Sequence, residues 1–319
     1  MNIKKISPNI NILFLYLSFF LTTFATPFHR SDNINAERHN QKYVIGQCSM
    51  QGLFSCFFVV LNQLAQCEKN NNTPTVFWDQ SCTYYHPNGF NDNHNVWEYY
   101  FEPVSDLVYE SPENIDNSYI FNDFNFNATS DAIRQEAHSL ISKYIKIKPC
   151  IHQKIADFYD RYIAGKKTIA IHLRATDRQK QQTITTPQQL VEQALQHADE
   201  NTQFFIASDD QLLFDTMLEL FQGFTVIYHN CYRSKDGKPL HYCAGNQPDD
   251  LRPSFAQMGE DVLIEAMLMS RCDFLVHNQS SVSTASLYFN PTMEHICLTQ
   301  PDSSKKKQKK LLTINHSDE

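Results

Sequence analysis

Thr168-Ile169-Ala170-Ile171-His172-Leu173-Arg174-Ala175-Thr176-Asp177 is a strand-forming run that breaks off into charge. A short apolar run without alternation marks a strand buried on both faces, as in a parallel sheet. The segments after it repeat the same grammar. Pro187 to Asp199 reads as a helix opened by Thr186, with Pro187 just inside it. Gln203 to Ala207 reads as a strand, Gln211 to Phe221 as a helix and Phe224 to Tyr228 as a strand. A polar insertion from about His229 to Ser254 interrupts the series. Glu260 to Arg271 (helix), Asp273 to His277 (strand), Ser281 to Phe289 (helix) and His295 to Thr299 (strand) complete it. Strands alternating with helices imply right-handed βαβ units, so residues 165–300 are expected to form an open parallel α/β layer.

The first half is less regular. Lys42 to Gly46 and Thr75 to Trp78 read as strands, and Met50 to Glu68 carries apolar residues at helical spacing. Residues 79–130 are loop-rich and aromatic, with Tyr84, Tyr85, Trp97, Tyr99, Tyr100 and Phe101. Such rings either stack on sugar faces or plug a loop-rich core, and the sequence leaves both readings open. Two helices are expected at Ser130 to Ile147 and Pro149 to Ala164.

At the N-terminus Lys4 and Lys5 precede an apolar stretch from Ile12 to Phe24, with Thr23-Phe24-Ala25 as a small-x-small cleavage pattern. This reads as a signal peptide over residues 1–25, or a short signal-anchor. It implies export to a secretory lumen (Golgi or endoplasmic reticulum) or secretion, possible membrane anchoring, and nine cysteines open to disulfide pairing. Asn127-Ala128-Thr129 and Asn278-Gln279-Ser280 fit the N-glycosylation pattern. The expected organisation is an acceptor-side α/β domain over 26–164, a nucleotide-sugar domain over 165–300 and a basic tail over 301–319.

Composition removes several function classes. Only 8 of 319 residues are glycine, and neither G-x-G-x-x-G nor a P-loop can be read. A phosphate-binding site must therefore use side chains. The formal charge of −8 includes five lysines in the tail, so the rest is still more acidic and unsuited to general nucleic-acid binding. No D-x-D carboxylate pair and no C-x-x-C pair occurs.

Ligands of open parallel sheets bind at the carboxyl ends of the strands. Polar residues gather where three strands end: His172 to Asp177, Ser208-Asp209-Asp210, and His277 to Ser281. Arg174 is the natural clamp for a diphosphate, because a guanidinium makes bidentate bonds to phosphate and keeps its charge. Asp177 could hold Arg174 or close the turn. The bland alternatives stand beside these: Arg174 in a structural ion pair, Asp209 or Asp210 as a helix cap, Ser280 and Ser281 as caps, and His172 as a satisfied core residue.

These segments resemble the GDP-fucose-dependent fucosyltransferase superfamily, closest to the α-1,6 and nodulation fucosyltransferase branch. An H-x-R-x-x-D motif stands as His172, Arg174 and Asp177; a strand with a paired acid stands as Phe204 to Asp210. Glu265, Asp273-Phe274-Leu275-Val276 and Ser280-Ser281 follow the order of a third motif, and Gly52-Leu53-Phe54-Ser55 is similar to an early glycine turn. The resemblance implies an α/β fold of GT-B type, two Rossmann-like halves facing a cleft, with the C-terminal parallel sheet holding the nucleotide. It implies inverting, metal-free transfer of L-fucose from GDP-fucose to a glycan acceptor. Arg174 would be catalytic, and His172, Arg174, Asp177, Asp209, Asp210, Glu265, Ser280 and Ser281 would bind the donor. Another nucleotide sugar, or a decayed glycan-binding scaffold of the same fold, is the alternative. Two departures stand out: Ala175 replaces a second arginine, and Gln179 to Gln182 offers no general base. Glu98, Glu102, Asp79 and His86 are the base candidates in the first half, unless leaving-group departure assisted by Arg174 suffices.

Overall fold

Thr168 to Leu173 and Gln203 to Ser208 are strands in which every residue is buried. The computed structural model describes residues 42–46, 51–107, 115–116, 123–125, 127–176, 185–240 and 252–298. The signal segment, Asp177 to Gln182 and the basic tail lie outside the described residues, as do Cys48 and Cys243.

In chain order the elements are β1 (Lys42–Ile45), α1 (Leu53–Asn70), β2 (Thr73–Val76), β3 (Ile115–Asp116), α2 (Asp131–Tyr144) and α3 (Pro149–Phe158). Then follow β4 (Thr168–Leu173), α4 (Pro187–Leu195), β5 (Gln203–Ser208), α5 (Gln211–Leu220), β6 (Val226–Ile227), α6 (Phe255–Met269), β7 (Phe274–His277), α7 (Ser281–Phe289) and β8 (Glu294–Cys297). The first sheet has the order β2-β1-β3 and the second β6-β5-β4-β7-β8, with every pairing parallel. The second sheet grows outward from β4 to β6, then resumes at β7 on the other side of β4. That reversal opens a crevice between β4 and β7 at their carboxyl ends.

Period-two alternation assigns the faces of the second sheet. Ile169, Ile171, Phe204, Ile206 and Val276 pack with Leu190 and Val191 of α4 and Phe214 and Met217 of α5. Ala170, Phe205, Ala207 and Leu275 face the opposite way, into a core shared with α1, α6 and α7. This core runs from Ile45 to Met293 and so crosses the boundary read at residue 165. All described residues belong to one compact unit.

Several boundaries move for identifiable reasons. Helix α6 begins at Phe255 rather than Glu260, because the Ser254 hydroxyl caps it by accepting the Gln257 N–H at 3.1 Å. Helix α4 ends at Leu195 rather than Asp199, whose carboxylate instead closes a turn by accepting from Asn201 N–H and the Thr202 hydroxyl. The strand expected over Phe224 to Tyr228 keeps only Val226 and Ile227. The sugar-platform reading of the aromatics is corrected for four rings. Trp97, Tyr99, Tyr100 and Phe101 are fully buried, with Trp97 and Phe101 centroids 4.4 Å apart. A ring with no exposed face cannot stack on a sugar. Among the described residues no helix is long and apolar enough to cross a membrane. Cys150, Cys231 and Cys272 carry free thiols.

Candidate functional site

A cavity of about 370 Å³ opens at the carboxyl ends of β4 and β5 and the start of α7. Arg174, Ser208 and Asp209 line one wall, Asp261 and Glu265 of α6 another, and Ser280 and Ser281 lie where α7 begins. Gly52 to Ser55, at the start of α1, face them from the first half. The N-termini of α1 and α7 therefore open on the same cavity, each presenting backbone N–H groups and a positive dipole end.

Arg174 sits one residue beyond β4 and is fixed at both backbone and side chain. Its N–H donates to Asn278 Oδ1 at 2.8 Å, and its carbonyl accepts from Asn278 Nδ2 at 2.7 Å. Asn278 follows β7 directly, so its amide bridges the sheet across the crevice. Arg174 Nη1 lies 3.0 Å from Asp209 Oδ2. Asp209 also accepts the Ala175 N–H at 2.9 Å and the Thr176 hydroxyl at 2.5 Å. One carboxylate at the end of β5 thus organises the whole turn after β4. Ala175 is buried in that turn.

The remaining candidates divide. Asp210 does not line the cavity; its carboxylate caps α5 by accepting the Leu213 N–H at 3.0 Å. Ser280 caps α7, its hydroxyl accepting the Val282 N–H at 3.1 Å. Ser281 and His172 both line the cavity, although His172 is almost fully buried. Asp177 lies outside the described residues. Of the base candidates, Glu98, Glu102, Asp79 and His86 are not among the cavity-lining residues.

Glu265 is buried, and desolvation pushes its carboxyl above the ordinary range against the opposing pull of Arg233. Arg233 Nη2 stands 3.5 Å from Glu265 Oε1, and the Cys231 thiol donates to the same oxygen at 3.3 Å. Asp261, one turn earlier on α6, accepts from Gln257 Nε2 at 3.1 Å and pairs with His229 Nε2 at 3.3 Å. Tyr84 closes the far wall; burial pushes its phenol well up, and its oxygen accepts the Leu53 N–H at 2.9 Å.

Sequence reasoning singled out neither Arg233 nor Asp261, and gave Asn278 no role beyond its place in the polar run after β7. Asn278 carried a signal, being the first polar residue after a buried strand, but it was read as part of a glycosylation pattern. With 4% exposure and its amide spent on Arg174, it is no glycan acceptor. Arg233 lies in the polar insertion, where no periodicity singles it out.

No family model and no curated protein matches this chain. Solved structures do. The NodZ α-1,6-fucosyltransferase soaked with GDP-fucose superposes with a TM-score of 0.52 at 15% identity, covering 78% of this chain and 92% of that one. The fold is that of a GT-B fucosyltransferase. The same enzyme co-crystallised with GDP gives 0.50 at 15% identity, over 82% of this chain and 96% of that one. The fucosyltransferase NodZ from Bradyrhizobium gives 0.50 at 15%, over 81% and 96%. In the GT-B fold of this chain, the crevice between β4 and β7 and the start of α1 meet at the cavity that holds Arg174.

Proposed function

We propose that this chain is an inverting glycosyltransferase that moves L-fucose from GDP-fucose to a glycan hydroxyl. The observation that carries the reading is Arg174, clamped by Asp209 and Asn278 at the cavity where the N-terminus of α7 also opens. The acceptor hydroxyl oxygen bonds to the anomeric carbon, and its proton passes to the departing diphosphate or to water. The bond from that carbon to the β-phosphate oxygen breaks, and GDP departs with the electron pair. Negative charge grows on the departing phosphate, and a guanidinium held in place by Asp209 meets it without reorganising. Arg174 and the α7 N-terminus supply the positive charge that a metal supplies elsewhere, so the reading needs no metal. The apolar stretch from Ile12 to Phe24 supports a lumenal or secreted site of action.

The test is incubation with GDP-fucose and a glycan array, with transfer read by mass and GDP-mannose and UDP-sugars as comparators. Arg174→Ala should lower turnover by about 10²–10³-fold while the thermal melt stays cooperative. Failure of the parent protein to transfer from or bind GDP-fucose, under conditions where it is folded, refutes the assignment.

A further inference from the structure

The first part of the polar insertion, residues 229–240, contributes a buried cation to which neither the motifs nor the proposed chemistry assigns a part. Arg233 is 4% exposed, beneath the cavity wall formed by Cys231, Tyr232 and Glu265. Its guanidinium lies 3.7 Å from the Phe214 ring centroid of α5 and 5.9 Å from that of Tyr228. Nη1 donates to the Cys231 carbonyl at 3.2 Å, and Nη2 donates to the His229 carbonyl at 3.0 Å. Nη2 also stands 3.5 Å from Glu265 Oε1. Burying an arginine costs several kcal/mol unless it is paired and hydrogen-bonded. Here the pairing joins a loop to a carboxylate of α6, at the edge of a ligand-sized cavity.

The next residue ties the same loop to the Arg174 clamp. Ser234 N–H donates to the Asp209 carbonyl at 2.9 Å, and Gln211 N–H donates to the Ser234 carbonyl at 2.9 Å. The loop is therefore anchored on one side at Asp209, the partner of Arg174, and on the other at Glu265.

We propose that Arg233 is a positioning residue of the donor site. It keeps the Glu265 carboxylate ionised and turned into the cavity, where it accepts hydrogen bonds from N–H or O–H groups of the bound nucleotide. The inference rests on the reading of the cavity as a GDP-sugar site. Burial opposes ionisation of Glu265 and Arg233 favours it, so removing the cation moves the carboxyl further up. The other ionisable groups at the site are His229, Cys231 and Asp261 near Glu265, with His172, Arg174, Asp209, Tyr84 and Tyr232 on the remaining walls.

The experiment is calorimetric titration with GDP from about pH 6 to about pH 9, spanning the range in which a buried carboxyl titrates. The parent, Arg233→Lys, Arg233→Gln and Glu265→Gln proteins are compared, with thermal melts as the check on folding. Arg233→Gln should bind GDP about ten- to a hundredfold more weakly near neutral pH, the range for losing a charged hydrogen bond. It should recover as the pH rises and Glu265 ionises unaided. Arg233→Lys should recover part of the binding lost in Arg233→Gln, because it keeps the charge but not the stacking on Phe214 or both carbonyl bonds. Glu265→Gln should be weak at every pH, because it has no carboxyl left to ionise. An Arg233→Gln profile equal to the parent's, or an equal loss at every pH without rescue by lysine, overturns the inference. Absence of GDP binding by the parent protein overturns the function itself, a distinct result.

Discussion

Replacing Asn278 by alanine should loosen both the fold and the chemistry, by an amount that follows from two hydrogen bonds. The side-chain amide accepts the Arg174 N–H at 2.8 Å and donates to the Arg174 carbonyl at 2.7 Å, in a setting 4% exposed. A typical intramolecular hydrogen bond contributes about 1 kcal/mol net, and a buried group stripped of its partner costs about 1–3 kcal/mol. Two orphaned backbone groups therefore predict a loss of about 2–6 kcal/mol in urea unfolding. Release of the Arg174 backbone also lets the guanidinium drift, and a misplacement of about 1 Å costs about a hundredfold in rate. Asn278→Asp sharpens the test. It keeps the acceptor for the Arg174 N–H but sets a carboxylate oxygen against the Arg174 carbonyl. Only the protonated acid can donate there, so its folded pKa is raised above the unfolded value. The stability gained over Asn278→Ala should then be present at acid pH and vanish as the pH rises through the folded pKa. Asn278→Ala within about 0.5 kcal/mol of the parent, with unchanged transfer, would refute the clamp.

Two further outcomes can be checked. A methyl group at Gly259 would lie 2.3 Å from the Tyr100 hydroxyl oxygen and 2.9 Å from Tyr84 Cδ1, in a buried layer. Gly259→Ala should cost about 1–3 kcal/mol in urea unfolding, and a neutral result would mean that both rings can yield. Burial pushes His277 down to about 3, with Nδ1 bonded to the Asn278 carbonyl at 3.0 Å and Nε2 to His295 Nδ1 at 3.1 Å. The unfolded chain takes up a proton near the ordinary pKa of about 6.5 and the folded chain does not, so stability falls as pH drops below that value. His277 alone accounts for about 2 kcal/mol lost between about pH 7 and pH 5; an equal pH slope in His277→Gln would rule that out.

The parallel layer was legible because its strands are buried on both faces. Ile169, Ile171, Phe204 and Phe205 leave no polar alternation for a solvent-facing strand, and the turns between them use ordinary cap residues such as Thr186. Arg174 was legible for a related reason, since a charge directly after a buried strand has to meet something at the sheet edge. The aromatic segment was not legible: a ring that stacks on sugar and a ring that fills a core have the same composition, and only the burial of Trp97 to Phe101 separates them. Ends of helices were weakly marked where a side chain could serve either as helix or as turn, as with Asp199 and Ser254.

Local chemistry, read along the chain, was enough to specify a parallel α/β layer and to make side chains responsible for any phosphate, because glycine is too scarce for a phosphate loop. It could not say which carboxylate would hold Arg174. Asp209, thirty-five residues further on, pairs with it, and nothing along the chain marks that residue as its partner. Parallel pairing of β4 with β5 puts Leu173 beside Ser208, and pairing with β7 puts His172 beside His277. Those two registers carry Asp209 and Asn278 to the same turn from opposite sides. Such meetings depend on strand order and long-range registry, and neither has a periodicity that a linear sequence can display.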